Sequence, residues 1–179
     1  MKYLPYLLAL LTTSTHLTTA LPPPPTTRAT RPFQIDGFVA QGYPQAMDGD
    51  KHLSFVEYNI TLQAGEGNAW CWAWADVPDL SIGDIPLDTP CQADSTIKWS
   101  FVKAADGSGR FNFTVSWQYT GHGKLVGNYL VPKEQVQWVT DAQGNPVQDY
   151  VGPTSFVVET VDVFGSSYGR ADLGVVVRR

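Results

Sequence analysis

From Phe33 onward the chain repeatedly alternates apolar and polar residues. Between residues 110 and 119, Phe111, Phe113, Val115, Trp117 and Tyr119 share one face, and Asn112, Thr114, Ser116 and Gln118 share the other. Successive side chains of a strand point to opposite faces, so this pattern predicts a half-buried antiparallel strand. The stretch Asp106-Gly107-Ser108-Gly109 before it has turn composition. Between residues 96 and 104, Ile97, Trp99 and Phe101 fall together, opposite Lys98 and Ser100. The two runs predict a hairpin.

Residues 53–63 repeat the pattern. Ser54, Val56, Tyr58, Ile60 and Leu62 share one face; Glu57, Asn59 and Thr61 share the other, which Leu53 and Phe55 open as apolar. Further strands are predicted over 34–41, 68–75, 124–131, 135–140 and 155–164, with Gly-, Pro-, Asn- or Asp-bearing turns at 65–67, 121–123 and 141–146. Residues 76–95 hold Pro78, Pro86 and Pro90 and are expected to be a loop. Val175-Val176-Val177 reads equally as an edge strand or a frayed tail. No long stretch carries a 3.6-residue apolar period. Roughly seven to nine short strands at this spacing predict an all-β fold, a single antiparallel β-sandwich or barrel with short loops.

Residues 1–20 stand apart from this pattern. Lys2 precedes a largely apolar run from Leu4 to Leu11, and the segment closes on Leu17-Thr18-Thr19-Ala20, with small residues three and one before the end. This reads as a secretory signal peptide. Its apolar core is shorter than the ~20 residues a membrane span needs, and no other segment is apolar enough to span. Residues 21–32 (LPPPPTTRATRP) read as an extended Pro/Thr-rich leader. The folded domain is expected over 33–164 and a C-terminal tail or edge strand over 165–179. The expected location is extracellular or cell wall.

Composition supports a β-rich globule and excludes several functions. The 179 residues include 16 Gly, 13 Pro, 6 Trp, 8 Tyr and 8 Phe, and the formal net charge is −5. Ala, Glu, Lys and Leu do not dominate, which argues against a helical bundle. An acidic chain with 12 thinly spread Lys and Arg residues is a poor nucleic-acid binder.

Cys71 and Cys91 are the only cysteines. In an oxidising compartment an even count favours a bridge between them over two intermolecular disulfides or a covalent dimer. A closed loop of about 20 residues stabilises by ~3 kcal/mol on the loop-entropy model. Asn59-Ile60-Thr61 and Asn112-Phe113-Thr114 are N-glycosylation sequons, and each Asn falls on the polar face of a predicted strand.

The most unusual stretch is Trp70-Cys71-Trp72-Ala73-Trp74. In a strand the three indoles project to one side, and Cys71, Ala73 and Ala75 to the other. Core burial is the commoner fate of Trp, so at least partial burial of that face is the favoured expectation. The alternative packs the disulfide side inward and leaves Trp70, Trp72 and Trp74 as a stacking platform for a sugar, a flavonoid or a partner protein.

Catalytic signals are weak. His52 and His122 lie in or beside polar turns without metal-ligand spacing. No nucleophile elbow is present, and Gly107-Ser108-Gly109 sits in a turn. Asp48-Gly49-Asp50 lacks the other ligands of a calcium loop. A carboxylate pair, as in small β-sandwich glycosidases, is the remaining enzymatic option. Yet there are 13 Asp against 4 Glu, and most of the Asp residues fall in turns, where Asp is favoured for its geometry. No catalytic residue, metal site or cofactor is assigned.

The order of features resembles a known family: a strand bearing Cys71, a Pro-containing loop to Cys91, the run "TIKWSFV" followed by "GRFNFTVSWQ", and the late "YVGPTSFVVE". Over roughly residues 33–160 the chain is similar to the Alternaria major-allergen-like family of small secreted fungal proteins. The resemblance implies a compact extracellular β-barrel or sandwich without enzyme chemistry. It also implies an effector- or allergen-like role, and binding of host proteins or small phenolic ligands. The chain departs from the best-known members in having one Cys pair where they carry more. The expected function is a secreted, non-enzymatic protein that binds a host or cell-surface partner, a glycan or a small phenolic ligand. The alternatives are a carbohydrate-binding module or small glycosidase, and a structural cell-wall protein.

Overall fold

The computed structural model describes residues 31–44, 52–62, 67–93 and 95–164. Residues 1–20, where a signal peptide is expected, residues 21–30 of the expected leader, Asp48-Gly49-Asp50 and residues 165–179, expected as a tail or edge strand, lie outside the described residues.

Among the described residues the regular structure is strand, apart from one 3-10 turn at Lys133–Gln135. The strands are β1 (Phe33–Pro44), β2 (His52–Thr61), β3 (Asn68–Val77), β4 (Ile85–Pro90), β5 (Ile97–Lys103), β6 (Phe111–Gln118), β7 (Gly123–Val131), β8 (Val136–Thr140), β9 (Pro146–Tyr150), β10 (Phe156–Val158) and β11 (Thr160–Phe164). They form two antiparallel sheets. The front sheet runs β3-β2-β1-β9-β8, with β10 also pairing β1. The back sheet runs β11-β7-β6-β5-β4. The fold is therefore a sandwich, and the barrel alternative is set aside because neither sheet's strand order closes on itself.

The core follows the alternation. Val56, Tyr58 and Ile60 of β2 are fully buried, as are Phe101 of β5 and Phe113 and Val115 of β6. Phe38 stands at the centre, with ring centroids 4.9 Å from Tyr150, 5.3 Å from Phe113 and 5.5 Å from Phe156. The expected hairpin is present as β5–β6, with Phe101 opposite Phe113.

In β1 the alternation changes phase. Phe33 and Ile35 point inward, then Phe38 and Ala40. A bulge between Asp36 and Val39 inserts one residue against β2. Gly37 supplies the positive φ (65°) that this bulge needs.

Three expectations are corrected. Residues 76–95 are not wholly loop, because β4 lies within them. Pro86 and Pro90 are tolerated there because β4 is the edge strand of its sheet. Pro146–Tyr150 is a further strand, with its proline at the first position. The single strand expected over 155–164 is two strands in different sheets. β10 pairs β1 and β11 pairs β7, with Glu159 at the corner between them.

Candidate functional site

The disulfide decides which side of β3 faces inward. Cys71 is bonded to Cys91, which follows β4 of the opposite sheet, and both are buried. Ala69, Ala73 and Ala75 pack against the core on the same side as Cys71. The interior next to them is already filled by Tyr58, Trp99 and Phe113, whose rings contact one another edge-on or tilted. Small residues fit against that layer, and three indoles do not. Trp70, Trp72 and Trp74 therefore face outward, with 48%, 43% and 45% of their surface exposed. The face is not the sheet's core, and the indoles are partly covered, in keeping with the expectation of at least partial burial. Neighbouring rings on the outer face supply cover for them.

The register of the front sheet sets those neighbours. Trp70 pairs with Asn59, Trp72 with Glu57 and Trp74 with Phe55 across β2. β1 continues the rows, with Asp36 opposite Asn59, Val39 opposite Glu57 and Gln41 opposite Phe55. Asp149 of β9 lies opposite Gln41.

The rings gather in two groups. Trp70 and Trp72 lie 6.0 Å apart between centroids. Trp74 lies 4.3 Å from Phe55 and 6.2 Å, edge-on, from Tyr43. Phe55 and Tyr43 were not among the expected site residues. The signal for Phe55 was the apolar opening of an otherwise polar strand face at Leu53 and Phe55. Tyr43 lies past the phase change at Gly37, so simple alternation did not place it.

This surface combines flat apolar faces with hydrogen-bonding groups at Glu57, Asn59 and Gln41. It can stack a ring and hold that ring's polar edge. Asp149 sits at its far end, where burial raises its carboxyl above the ordinary aspartate value, opposed by the Tyr150 backbone N–H.

The second sequon lies on the other side of the sandwich. Asn112 faces out from the back sheet between Val102 and Leu130. It lines an open depression of about 490 Å³ with Lys103, Asp106 and Arg110. Asp106 accepts from Arg110 and from the Ser108 backbone N–H. Its carboxyl lies well below the usual range, chiefly through the Ser108 hydrogen bonds.

His52 begins β2 and His122 is exposed in the turn before β7. Among the described residues, no three His, Cys, Asp or Glu side chains gather as a metal site. No helix of the described residues is long and apolar enough to cross a membrane.

The described residues thus define a disulfide-linked, two-sheet antiparallel β-sandwich with an aromatic outer face. No protein-family model matches the chain, and no curated protein matches it.

Proposed function

We propose that this is a secreted, non-enzymatic binding protein, acting at a cell surface or host interface, whose recognition surface is the outer face of β3. Trp72 and Trp74, with Phe55 and Tyr43, stack against the rings of a ligand, while the Glu57 carboxylate accepts hydrogen bonds at its edge and the Gln41 amide accepts or donates them. A glycan suits this pairing of flat apolar faces with carboxylate and amide groups. A small phenolic ligand uses the same stacking faces. The observation that carries the reading is the exposure of three indoles on one strand of a domain that has an aromatic core of its own. A large exposed apolar surface is informative in a way that scattered apolar residues are not.

The test is a screen of the full secreted protein against glycan and phenolic arrays, with Trp72→Ala and Trp74→Ala as controls. Binding that both substitutions weaken, in variants that unfold at unchanged temperature, supports the reading. Binding that Trp72→Ala and Trp74→Ala leave intact places the site elsewhere.

A further inference from the structure

We propose that Asn59 carries an N-linked glycan whose first sugars lie along the indole of Trp70. One end of the tryptophan face then holds the chain's own glycan, and the Trp72–Trp74 end remains open to ligand. The inference rests on the secretory reading above but not on the identity of any ligand.

Four observations converge on Asn59. It opens the sequon Asn59-Ile60-Thr61. Its neighbours Tyr58 and Ile60 are fully buried, which turns the Asn59 side chain outward, where it is exposed. It stands directly opposite Trp70 in the β2–β3 register. Side chains so paired have Cβ atoms about 4.5–5.5 Å apart, within reach of a large ring. Finally, the amide Nδ2, the atom that would bear the sugar, lies over Gly37, 3.7 Å from where a Cβ would stand. Gly37 sits in the β1 bulge with φ of 65°. The bulge therefore leaves bare backbone on one side of the attachment atom, and the indole of Trp70 stands on the other.

The modification balances simply. The Asn59 amide nitrogen attacks the anomeric carbon of an oligosaccharide carried on a lipid pyrophosphate. A C–N bond forms, the anomeric C–O bond breaks, the amide loses one proton, and the lipid pyrophosphate leaves. This transfer acts on the extended chain as it enters the secretory compartment, before β2 is paired on both sides. Once the sheet closes, the sugar emerges beside Trp70. The apolar C–H face of a sugar ring and the face of an indole exclude water from each other. Asn112 provides an internal comparison, because it lies between Val102 and Leu130 with no indole opposite.

The experiment expresses the full chain in a secreting eukaryotic host. Peptide mass mapping reads the occupancy of Asn59 and Asn112. N-bromosuccinimide oxidation, followed by mapping, reads the reactivity of each Trp. Thr61→Ala removes the sequon while keeping Asn59, and Asn59→Gln is the second variant. Removal of the glycan from folded wild-type protein by a peptide amidase gives the same comparison where neither variant is secreted.

The expected result is a glycan on Asn59, with Trp70 oxidised several-fold faster once that glycan is gone and Trp74 unchanged. An unmodified Asn59 overturns the inference. So does a Trp70 whose reactivity does not depend on the glycan. Array binding through Trp72 and Trp74 is read separately, so the inference and the ligand-binding reading fail independently.

Discussion

Trp72 and Glu57 stand directly opposite each other on the outer face of the front sheet, a carboxylate beside an exposed indole. Stability and binding separate at this pair. Trp72 faces solvent, so Trp72→Ala is expected to cost at most about 1 kcal/mol of stability. Trp99 is 1% exposed and contacts Tyr58 and Phe113. Trp99→Ala is expected to cost about 3–5 kcal/mol. Chemical denaturation of both variants checks the contrast. A loss at Trp72 as large as that at Trp99 contradicts the outward placement.

Removal of the crosslink tests the architecture from the other side. The Cys71–Cys91 bridge ties an edge strand of the front sheet to the end of β4 in the back sheet across 20 residues. The variant with both cysteines replaced by Ala is expected to lose ~3 kcal/mol, a fall in Tm on the order of 10 °C. Calorimetry reads the shift. An unchanged Tm means the two packed sheets hold β3 without the bond.

Much of the sandwich is legible in the alternation. The inner faces of β2, β5 and β6 follow from their sequences, because apolar residues alternate along each, although Ser100 on the opposite face of β5 is buried as well. Three departures have local causes. Gly37 adds a residue to β1 and reverses its phase, so Tyr43 joins the face that Asp36 begins. Pro86 and Pro90 read as loop punctuation, yet an edge strand has one side free of ladder bonds and tolerates them. Glu159 turns the chain from one sheet to the other within an unbroken β-like pattern, which alternation alone does not reveal. The outward placement of the tryptophan face is hidden from the sequence for a different reason. Periodicity says that the indoles lie together, but not which side is wet. That depends on Tyr58, Trp99 and Phe113 having already filled the interior.

Asp149 gives the molecule a pH signature of defined sign. Burial raises its carboxyl above the ordinary aspartate value of 3.8. Between that value and the raised one the folded state binds more protons than the unfolded state. Asp149's own contribution to stability therefore falls as pH rises through this interval, and the cost persists above it. Asp149→Asn removes that cost. The substitution is expected to raise Tm at about pH 7 and leave it unchanged at about pH 3. Thermal melts across that range check the sign, and a lower Tm at neutral pH contradicts it.

Gly42 reports on how the segment after β3 is held. Gly42 is buried on the inner side of β1, and a Cβ there would stand 2.0 Å from the Leu80 carbonyl oxygen and 3.0 Å from that of Ser81. The segment is held on the other side as well. The Leu80 oxygen accepts from the Gln148 backbone N–H at 2.8 Å, and the Gln148 side-chain oxygen accepts from the Ile82 N–H at 2.8 Å. Any shift that relieves the clash therefore breaks the contacts that join this segment to β9. Gly42→Ala is expected to destabilise by about 1–3 kcal/mol, as overpacking does elsewhere. The same substitution leaves the outer face untouched, because Gly42 points away from it. The variant should accordingly unfold at lower denaturant while keeping the wild-type reactivity of Trp72 and Trp74. A variant of wild-type stability would show that residues 78–82 are held less tightly than these contacts imply.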